Sequence, residues 1–410
     1  MALTGRHIRE LFDWPLALSA VGLVAVGWIG LLSATGETAA SRVQGLATVQ
    51  LVWVALAFTA AALAVWLPLR FWYGISYVAY GVGVVLLVLT LVHGARGMGA
   101  QRWLALGPVH LQPSEFGKIG LILALSRFLS HQRVSMTRLS HLLVALLITL
   151  VPVALIREQP DLGTAMVYGA IFLPMVYWGG LKNLHLFAII APVVNAVCAF
   201  AGWIPWTAFC LAFVGLLFLL RPSLTWTVLL VVINLTVGII TPAIWDRLQP
   251  FQQRRIETFF SPEKDPLGAG YQIIQSQVAI GSGGTWGKGF QQGSQTQLAF
   301  LPETHTDFIF AVLGEEFGFV GALVILSLLF VLVWRIIRMA LVGNNAFASF
   351  VCIGVASMIA FHSVVNIGMT VGLMPVTGLP LPLVSYGGSA LLTDGLALGL
   401  VLGFGLRRHE

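Results

Sequence analysis

Twelve apolar runs recur along this chain, near 15–33, 48–67, 72–92, 114–130, 141–156, 162–179, 185–203, 205–220, 224–244, 307–334, 345–368 and 384–406. Most approach or reach the roughly 17 to 25 residues that a helix needs to cross a hydrocarbon core, well beyond the roughly 9 to 11 of a membrane β-strand. In that medium the backbone must satisfy its own N–H and C=O groups, which a helix does within one segment. The runs therefore predict an all-α polytopic integral membrane protein, a helical bundle of about 12 spans read as a single domain over 1–410. Hydrophobic residues make up 58% of the chain and charged residues 9%, with a mean hydropathy of +0.91, which excludes a water-soluble domain.

The few cations give the expected sidedness, because short cytoplasmic loops retain Lys and Arg. With the amino terminus inside, twelve fall on cytoplasmic segments: Arg6, Arg9, Arg70, Arg127, Arg133, Arg138, Lys182, Arg221, Arg335, Arg338, Arg407 and Arg408. Only Arg42, Arg96, Arg102 and Arg157 fall on the short outer loops. Both termini are thus expected in the cytoplasm, and the net charge of +6 reads as a topology signal, not as a footprint for nucleic acid. The first run follows the charged segment Arg6 to Asp13 without a small-residue cleavage site, as a retained helix does. Cys198, Cys210 and Cys352 lie inside spans with no metal-ligand spacing and predict no disulfide framework.

One long polar stretch, 245–306, interrupts the apolar pattern and by the same sidedness lies outside. A connection longer than about 15 residues is usually functional or disordered. This one has the marks of order, since Tyr271 to Ile280 is compatible with a helix and Gly281 to Gly289 is rich in turn residues. The glycine run lacks P-loop spacing and faces away from cytoplasmic nucleotides. It reads either as tight turns or as amides exposed toward a lipid phosphate. The stretch ends by delivering Glu303, His305 and Asp307 to the edge of an apolar run. Thr304-x-x-Asp307 fits a helix capping box; the three ionisable groups together fit a site at the membrane surface.

An ionisable group at membrane depth costs about 2.5 to 3.5 kcal/mol even on insertion scales, so each needs a partner or a purpose. Glu115 and Lys118 follow Pro113-Ser114, and their i,i+3 spacing puts them on one helical face, either as a neutralising pair or as the wall of a functional cavity. Asp161 sits in the tight outer turn Arg157-Glu158-Gln159-Pro160-Asp161-Leu162-Gly163-Thr164, where it can cap the following helix. Arg157 can pair with Glu158 or Asp161, or donate to a phosphate. Glu315 or Glu316 can face a cavity, whereas Asp394, in the last run, has no evident partner.

Six motifs stand in order along the chain: Pro113-Ser114-Glu115-Phe116-Gly117-Lys118, Gln159 to Thr164, Asp265-Pro266-Leu267-Gly268-Ala269-Gly270-Tyr271-Gln272, Gly281-Ser282-Gly283-Gly284, Leu301 to Phe308, and Ser385-Tyr386-Gly387-Gly388-Ser389. Together they resemble the SEDS family of bacterial envelope proteins, named for shape, elongation, division and sporulation. The stretch Asn366 to Pro382 is similar to the elongation members. Residues 184 to 244 are longer than the family's ten-span pattern by an apparent helical hairpin, which preserves the sidedness of everything after it.

The resemblance implies a SEDS-like bundle with a large extracytoplasmic loop, in the bacterial cytoplasmic (inner) membrane. It implies a peptidoglycan glycosyltransferase that polymerises lipid II at the outer face during elongation, with a class B penicillin-binding protein and other elongation-machinery proteins as partners. In such chemistry an acceptor hydroxyl attacks an anomeric carbon as a polyprenyl pyrophosphate leaves, with inversion. Asp307 is the expected general base. Glu115 and Lys118 are expected to line the same outward cavity, Lys118 favouring anionic substrate oxygens. Arg102 and Arg157 are candidate phosphate contacts, and Asp161, His305 and Ser385 candidate substrate-binding supports. A divalent cation, Mg or Mn, could bridge carboxylate and pyrophosphate, although no all-protein cage is visible. Two other classes compete. A lipid II flippase would use the buried charges as a translocation route, but no inverted repeat is evident; a non-catalytic scaffold would leave Glu115 and Lys118 without a purpose.

Overall fold

A computed structural model of the chain describes residues 11–34, 45–97, 100–107, 109–245, 253, 257–258, 269–298, 300 and 304–407. Arg6, Arg9, Arg42, Glu303 and Arg408, with the motif residues Asp265 to Gly268 and Leu301 to Pro302, lie outside the described residues. Helices α1 (Trp14–Ala34), α2 (Leu46–Trp66) and α3 (Leu69–His93) precede strands β1 (Ala95–Gly97), β2 (Ala100–Leu106) and β3 (Val109–Leu111). Then come α4 (Pro113–Leu129), α5 (Leu139–Glu158), α6 (Leu162–Trp178), α7 (Asn183–Ala201), α8 (Trp203–Leu220) and α9 (Leu224–Trp245). Two short elements of the long loop follow, α10 (Ala269–Gly283) and α11 (Ser294–Gln297), and then α12 (Ile309–Val342), α13 (Ala346–Thr370) and α14 (Gly388–Leu406).

Each of the twelve apolar runs forms a helix. Ten are long and apolar enough to cross a membrane; the other two, α4 and α6, have 17 residues each. The last run starts its helix at Gly388 and not at 384, because Leu381 to Ser385 closes a turn instead. Between α3 and α4, where only a short outer loop was expected, the chain forms a three-stranded antiparallel sheet in the order β1-β2-β3.

The contacts divide into two compact units, Met1–Gly179 with Gln272–Glu410, and Gly180–Tyr271. In the first, α4, α13 and α14 are buried along most of their lengths. Small residues make the packing close, as is usual between membrane helices: a Cβ on Gly395 or Gly399 of α14 would lie 2.6 Å or 2.5 Å from the carbonyl oxygens of Ala57 and Ala61 of α2. In the second unit α7, α8 and α9 surround Ala191, Phe213, Leu217 and Leu230. Asn195 donates to the Asn234 carbonyl (2.6 Å) and accepts from Trp206 Nε1 (3.1 Å), polar links inside an apolar bundle.

The outer loop is built onto a break in α12. Gly318 has non-helical φ 63°, ψ −159°, so two rungs of the helical ladder are missing there. Loop backbone replaces them: the Lys288 and Gly289 amides donate to the Glu315 and Glu316 carbonyls (both 3.0 Å), and the Phe319 and Val320 amides donate to Gly284 and Thr285 (2.9 and 3.1 Å). Gly287, at φ 82°, has room for no side chain, since a Cβ would lie 2.0 Å from the Glu316 carbonyl oxygen. The glycine run therefore makes close turns, and its Gly287, Lys288 and Gly289 amides are taken by carbonyls, not offered to a phosphate. Farther back, Ser276 and Gln277 of α10 donate to the Thr370 and Val371 carbonyls (2.7 and 3.1 Å), satisfying oxygens at the end of α13 that have no helical partner.

Candidate functional site

Pro113 occupies the first turn of α4, where its missing N–H costs nothing. The helix so begun points Glu115 and Lys118 into the bundle. Lys118 Nζ lies 2.7 Å from Glu115 Oε2, and the two residues are only 1% and 4% exposed. His362 of α13 brings Nε2 to 3.3 Å from the same ammonium. A cavity of about 10 Å³, roughly one water in size, is bordered by Glu115, His362, Ser385 and Asp394. Asp394, which had no partner in sequence, accepts the Leu383 amide at 3.3 Å.

Asp307 lies close to the chain that bounds this cavity. The expected capping box does not form: α12 begins at Ile309, its N-cap is Phe308 without a side-chain cap, and Thr304 and Asp307 belong to the preceding turn. Tertiary bonds hold that turn instead. Ser385 Oγ donates to the Thr306 carbonyl (2.6 Å), Tyr386 N to the His305 carbonyl (2.9 Å), and Asn366 Nδ2 to the carbonyls of Asp307 (2.9 Å) and Leu379 (2.8 Å). A Cβ on Gly378 would stand 3.4 Å from Asp307 Oδ2, so the partly exposed carboxylate lies against bare backbone. Residues 378–386 are thus a shared wall: Gly378, Ser385 and Tyr386 meet the Asp307 segment, and Pro380 to Leu383 with Ser385 line the cavity of Glu115. The His305 and Tyr386 rings lie 6.0 Å apart, and burial pushes the Tyr386 hydroxyl above its ordinary pKa.

The remaining sequence candidates sort by geometry. Asp161 caps α6, accepting from Thr164 N (3.2 Å) and Thr164 Oγ1 (3.0 Å), and also takes Gln112 Nε2 (3.3 Å). Its cation is Arg102, 3.8 Å away, and not Arg157. Arg102 also donates to the Gln159 and Pro160 carbonyls, so it clasps the α5–α6 turn. Arg157 is exposed and forms no ion pair among the described residues. Lys118 is not placed to meet substrate oxygens directly, because Glu115 and His362 hold its buried ammonium. Ser385 spends its hydroxyl on the Leu381 amide (2.9 Å) and the Thr306 carbonyl, a tie within the protein.

Neither Glu315 nor Glu316 borders that cavity; Glu315 anchors the outer loop and Glu316 bonds to the end of α1. Glu315 accepts from Lys288 Nζ (2.7 Å), Ser294 Oγ (3.2 Å) and Gln295 N (3.1 Å), and Glu316 from Ser33 Oγ. Among the described residues no three His, Cys, Asp or Glu side chains converge as a metal set, so these carboxylates do not by themselves make a cation site. His362 and Asn366 were missed in sequence. A lone His in an apolar run gives no signal, whereas Asn366 opens the family-like stretch that ends at Pro382. Beside the polar cavity, an apolar groove of about 520 Å³ runs between α1, α2 and α14 and shares Leu383 and Leu391 with it.

Comparison with known proteins extends over nearly the whole chain. The family model for FtsW, RodA and SpoVE, described as cell cycle protein, matches residues 14–209 and 205–408. The chain is 38% identical over 337 residues to the peptidoglycan glycosyltransferase MrdB of Escherichia coli K12, covering 82% of this chain and 79% of that one. It is 32% identical over 426 residues to the peptidoglycan glycosyltransferase RodA of Treponema pallidum, covering 97% and 98%. Among solved structures, a chain from a peptidoglycan synthase complex that coordinates polymerization and crosslinking superposes with a TM-score of 0.72 at 31% identity, covering 97% of this chain and 99% of that one. The rod shape determining protein RodA of Thermus thermophilus gives 0.65 at 29% identity, covering 97% and 98%.

Proposed function

Because this chain belongs to the FtsW, RodA and SpoVE family of cell cycle proteins, we propose that it is a peptidoglycan glycosyltransferase that polymerises lipid II at the outer face of the bacterial cytoplasmic membrane during elongation. The observation that carries the reading is the shared wall at 378–386, which joins a partly exposed carboxylate to a buried charge cluster. A surface acid on a merely connecting loop needs no such backing. On this reading both termini are cytoplasmic, the chain acts as one membrane domain, and a class B penicillin-binding protein is its membrane partner.

In the reaction an acceptor hydroxyl oxygen forms a bond to the anomeric carbon of the donor sugar. The bond from that carbon to the pyrophosphate oxygen breaks, its electron pair leaves with the polyprenyl pyrophosphate, and the configuration inverts. Asp307 takes the hydroxyl proton, a role worth about 10²- to 10⁴-fold for a well-placed base. Its backbone is held on both sides, by Asn366 and through Thr306 by Ser385, so the carboxylate is presented with little freedom to lose. Glu115 and His362 border the cavity that the wall lines, and Lys118 ties the two together. Arg157, exposed and without an ion-pair partner among the described residues, is the outer cation for pyrophosphate oxygens; Arg102 and Asp161 brace the turn beside it. The apolar groove between α1, α2 and α14 takes a polyprenyl chain.

The flippase alternative is separated by one comparison. The purified chain with a cognate penicillin-binding partner is given labelled lipid II in detergent, where translocation has no meaning, and the same chain is placed in vesicles with lipid II in one leaflet. Glycan strands in detergent support the polymerase. Transfer between leaflets with no polymer in either setting would replace it.

A further inference from the structure

Asp394 is a buried acid on α14 that the reaction does not use, and its one described hydrogen bond goes to the backbone of an unusual turn. Leu381-Pro382-Leu383-Val384 closes with Val384 N donating to the Leu381 carbonyl at 3.2 Å. Proline in the second place and a positive φ in the third is the pattern of a type II turn, whose third place normally holds Gly or Asn. Here it holds Leu383, at φ 63°. A side chain in that left-handed region lowers the population of the turn by on the order of tenfold unless something holds it there. Asp394 Oδ2 does so by accepting the Leu383 amide, which is itself buried.

The turn is connected onward. Leu381 donates its amide to Ser385 Oγ at 2.9 Å, and the same hydroxyl donates to the Thr306 carbonyl at 2.6 Å. One residue farther, Tyr386 N ties to the His305 carbonyl. We propose that Asp394 is a positioning residue for the Asp307 segment, holding Leu383 in its left-handed turn so that Ser385 and Tyr386 meet the backbone just ahead of Asp307. The kinetic part of this inference rests on the glycosyltransferase reading; the structural part does not. Asp394 touches no reacting atom, so its loss acts on the placement of the base and leaves substrate affinity nearly intact.

The test uses Asp394→Ala, Asp394→Asn and the double variant Asp394→Ala with Leu383→Gly, each in the full chain with its partner. Hydrogen exchange is followed by mass spectrometry in peptides covering 304–309 and 381–386, alongside kcat and KM for glycan synthesis. Asp394→Ala should speed exchange in both segments by about tenfold and lower kcat by about tenfold, the scale expected for a buried amide left unpaired, with KM within about twofold. Asp394→Asn keeps an acceptor oxygen and should match the wild type. Glycine at 383 carries no left-handed penalty and should restore part of the exchange protection in 381–386; the kinetic comparison rests on the single variants at 394, because Leu383 also lines the apolar groove. If alanine prevents folding, Asp394→Val, apolar and similar in size, carries the same comparison. Unchanged exchange in the alanine or valine variant, or equal loss in the asparagine variant, overturns the proposal. If the wild type makes no glycan, the glycosyltransferase reading falls while the exchange data still decide the clamp.

Discussion

Replacing Glu115 with Gln strands a buried ammonium. The pair it breaks is 2.7 Å long between residues that are 4% and 1% exposed, so water cannot take over the charge. Removing one member of such a pair typically costs about 3 to 5 kcal/mol. The amide that remains can still accept from Lys118 Nζ, and His362 Nε2 stands 3.3 Å away as a second acceptor, which puts the expected loss at the low end, about 3 kcal/mol. At about 2 °C per kcal/mol for a large chain, the unfolding midpoint should fall by about 6 °C. Adding Lys118→Met should recover most of it, because the stranded charge is then gone. The assay is thermal unfolding in one detergent, read by tryptophan fluorescence and by chromatographic monodispersity. A Glu115→Gln protein with the wild-type midpoint, or a double variant less stable than the single one, would refute the reasoning.

Three other outcomes follow from the same geometry. Gly287→Ala forces a Cβ to 2.0 Å from the Glu316 carbonyl at positive φ, so the loop should leave the α12 break, at a cost of at least about 1 to 3 kcal/mol, and become the first site of limited proteolysis. Ser385→Ala leaves the buried Leu381 amide without its acceptor and should cost about 1 to 3 kcal/mol in unfolding free energy. For sidedness, Arg157→Cys should react with a membrane-impermeant thiol reagent on intact cells, whereas Arg338→Cys should react only after permeabilisation; the opposite pattern would invert the topology.

The spans were legible because membrane helices obey one strong constraint, and each apolar run became a helix. What composition could not show were the places where backbone pairs with distant backbone. The break at Gly318 hides inside an apolar run that reads as continuous, since it is set by loop residues 284 to 289 that take over its hydrogen bonds. The sheet over 95–111 rests on one seven-residue strand flanked by two of three residues, too short to show a pattern of their own between two long helices. Two acids with local capping signals, Asp161 as an N-cap and Asp307 as the acid of a capping box, had different fates. Asp161 caps α6 with Arg102 and Gln112 bracing its carboxylate, while the turn at Asp307 is held by Ser385, Tyr386 and Asn366, contacts 59 to 81 residues distant in sequence. Lys118 was legible as a charge needing a partner, yet its burial behind Glu115 and beneath His362 was not. Asp394 was opaque because its partner is an amide exposed only by an unusual turn.

The central claim is that the Asp307 carboxylate accepts a proton from the acceptor sugar. It is tested most directly by the rate of glycan formation from purified lipid II by wild type and Asp307→Asn, each with its penicillin-binding partner and each checked for an unchanged unfolding midpoint. The amide keeps the size of the side chain and loses its basicity, so synthesis should fall by about 10²-fold or more with the fold intact. A folded Asp307→Asn protein that polymerises within a few-fold of wild type would contradict the account.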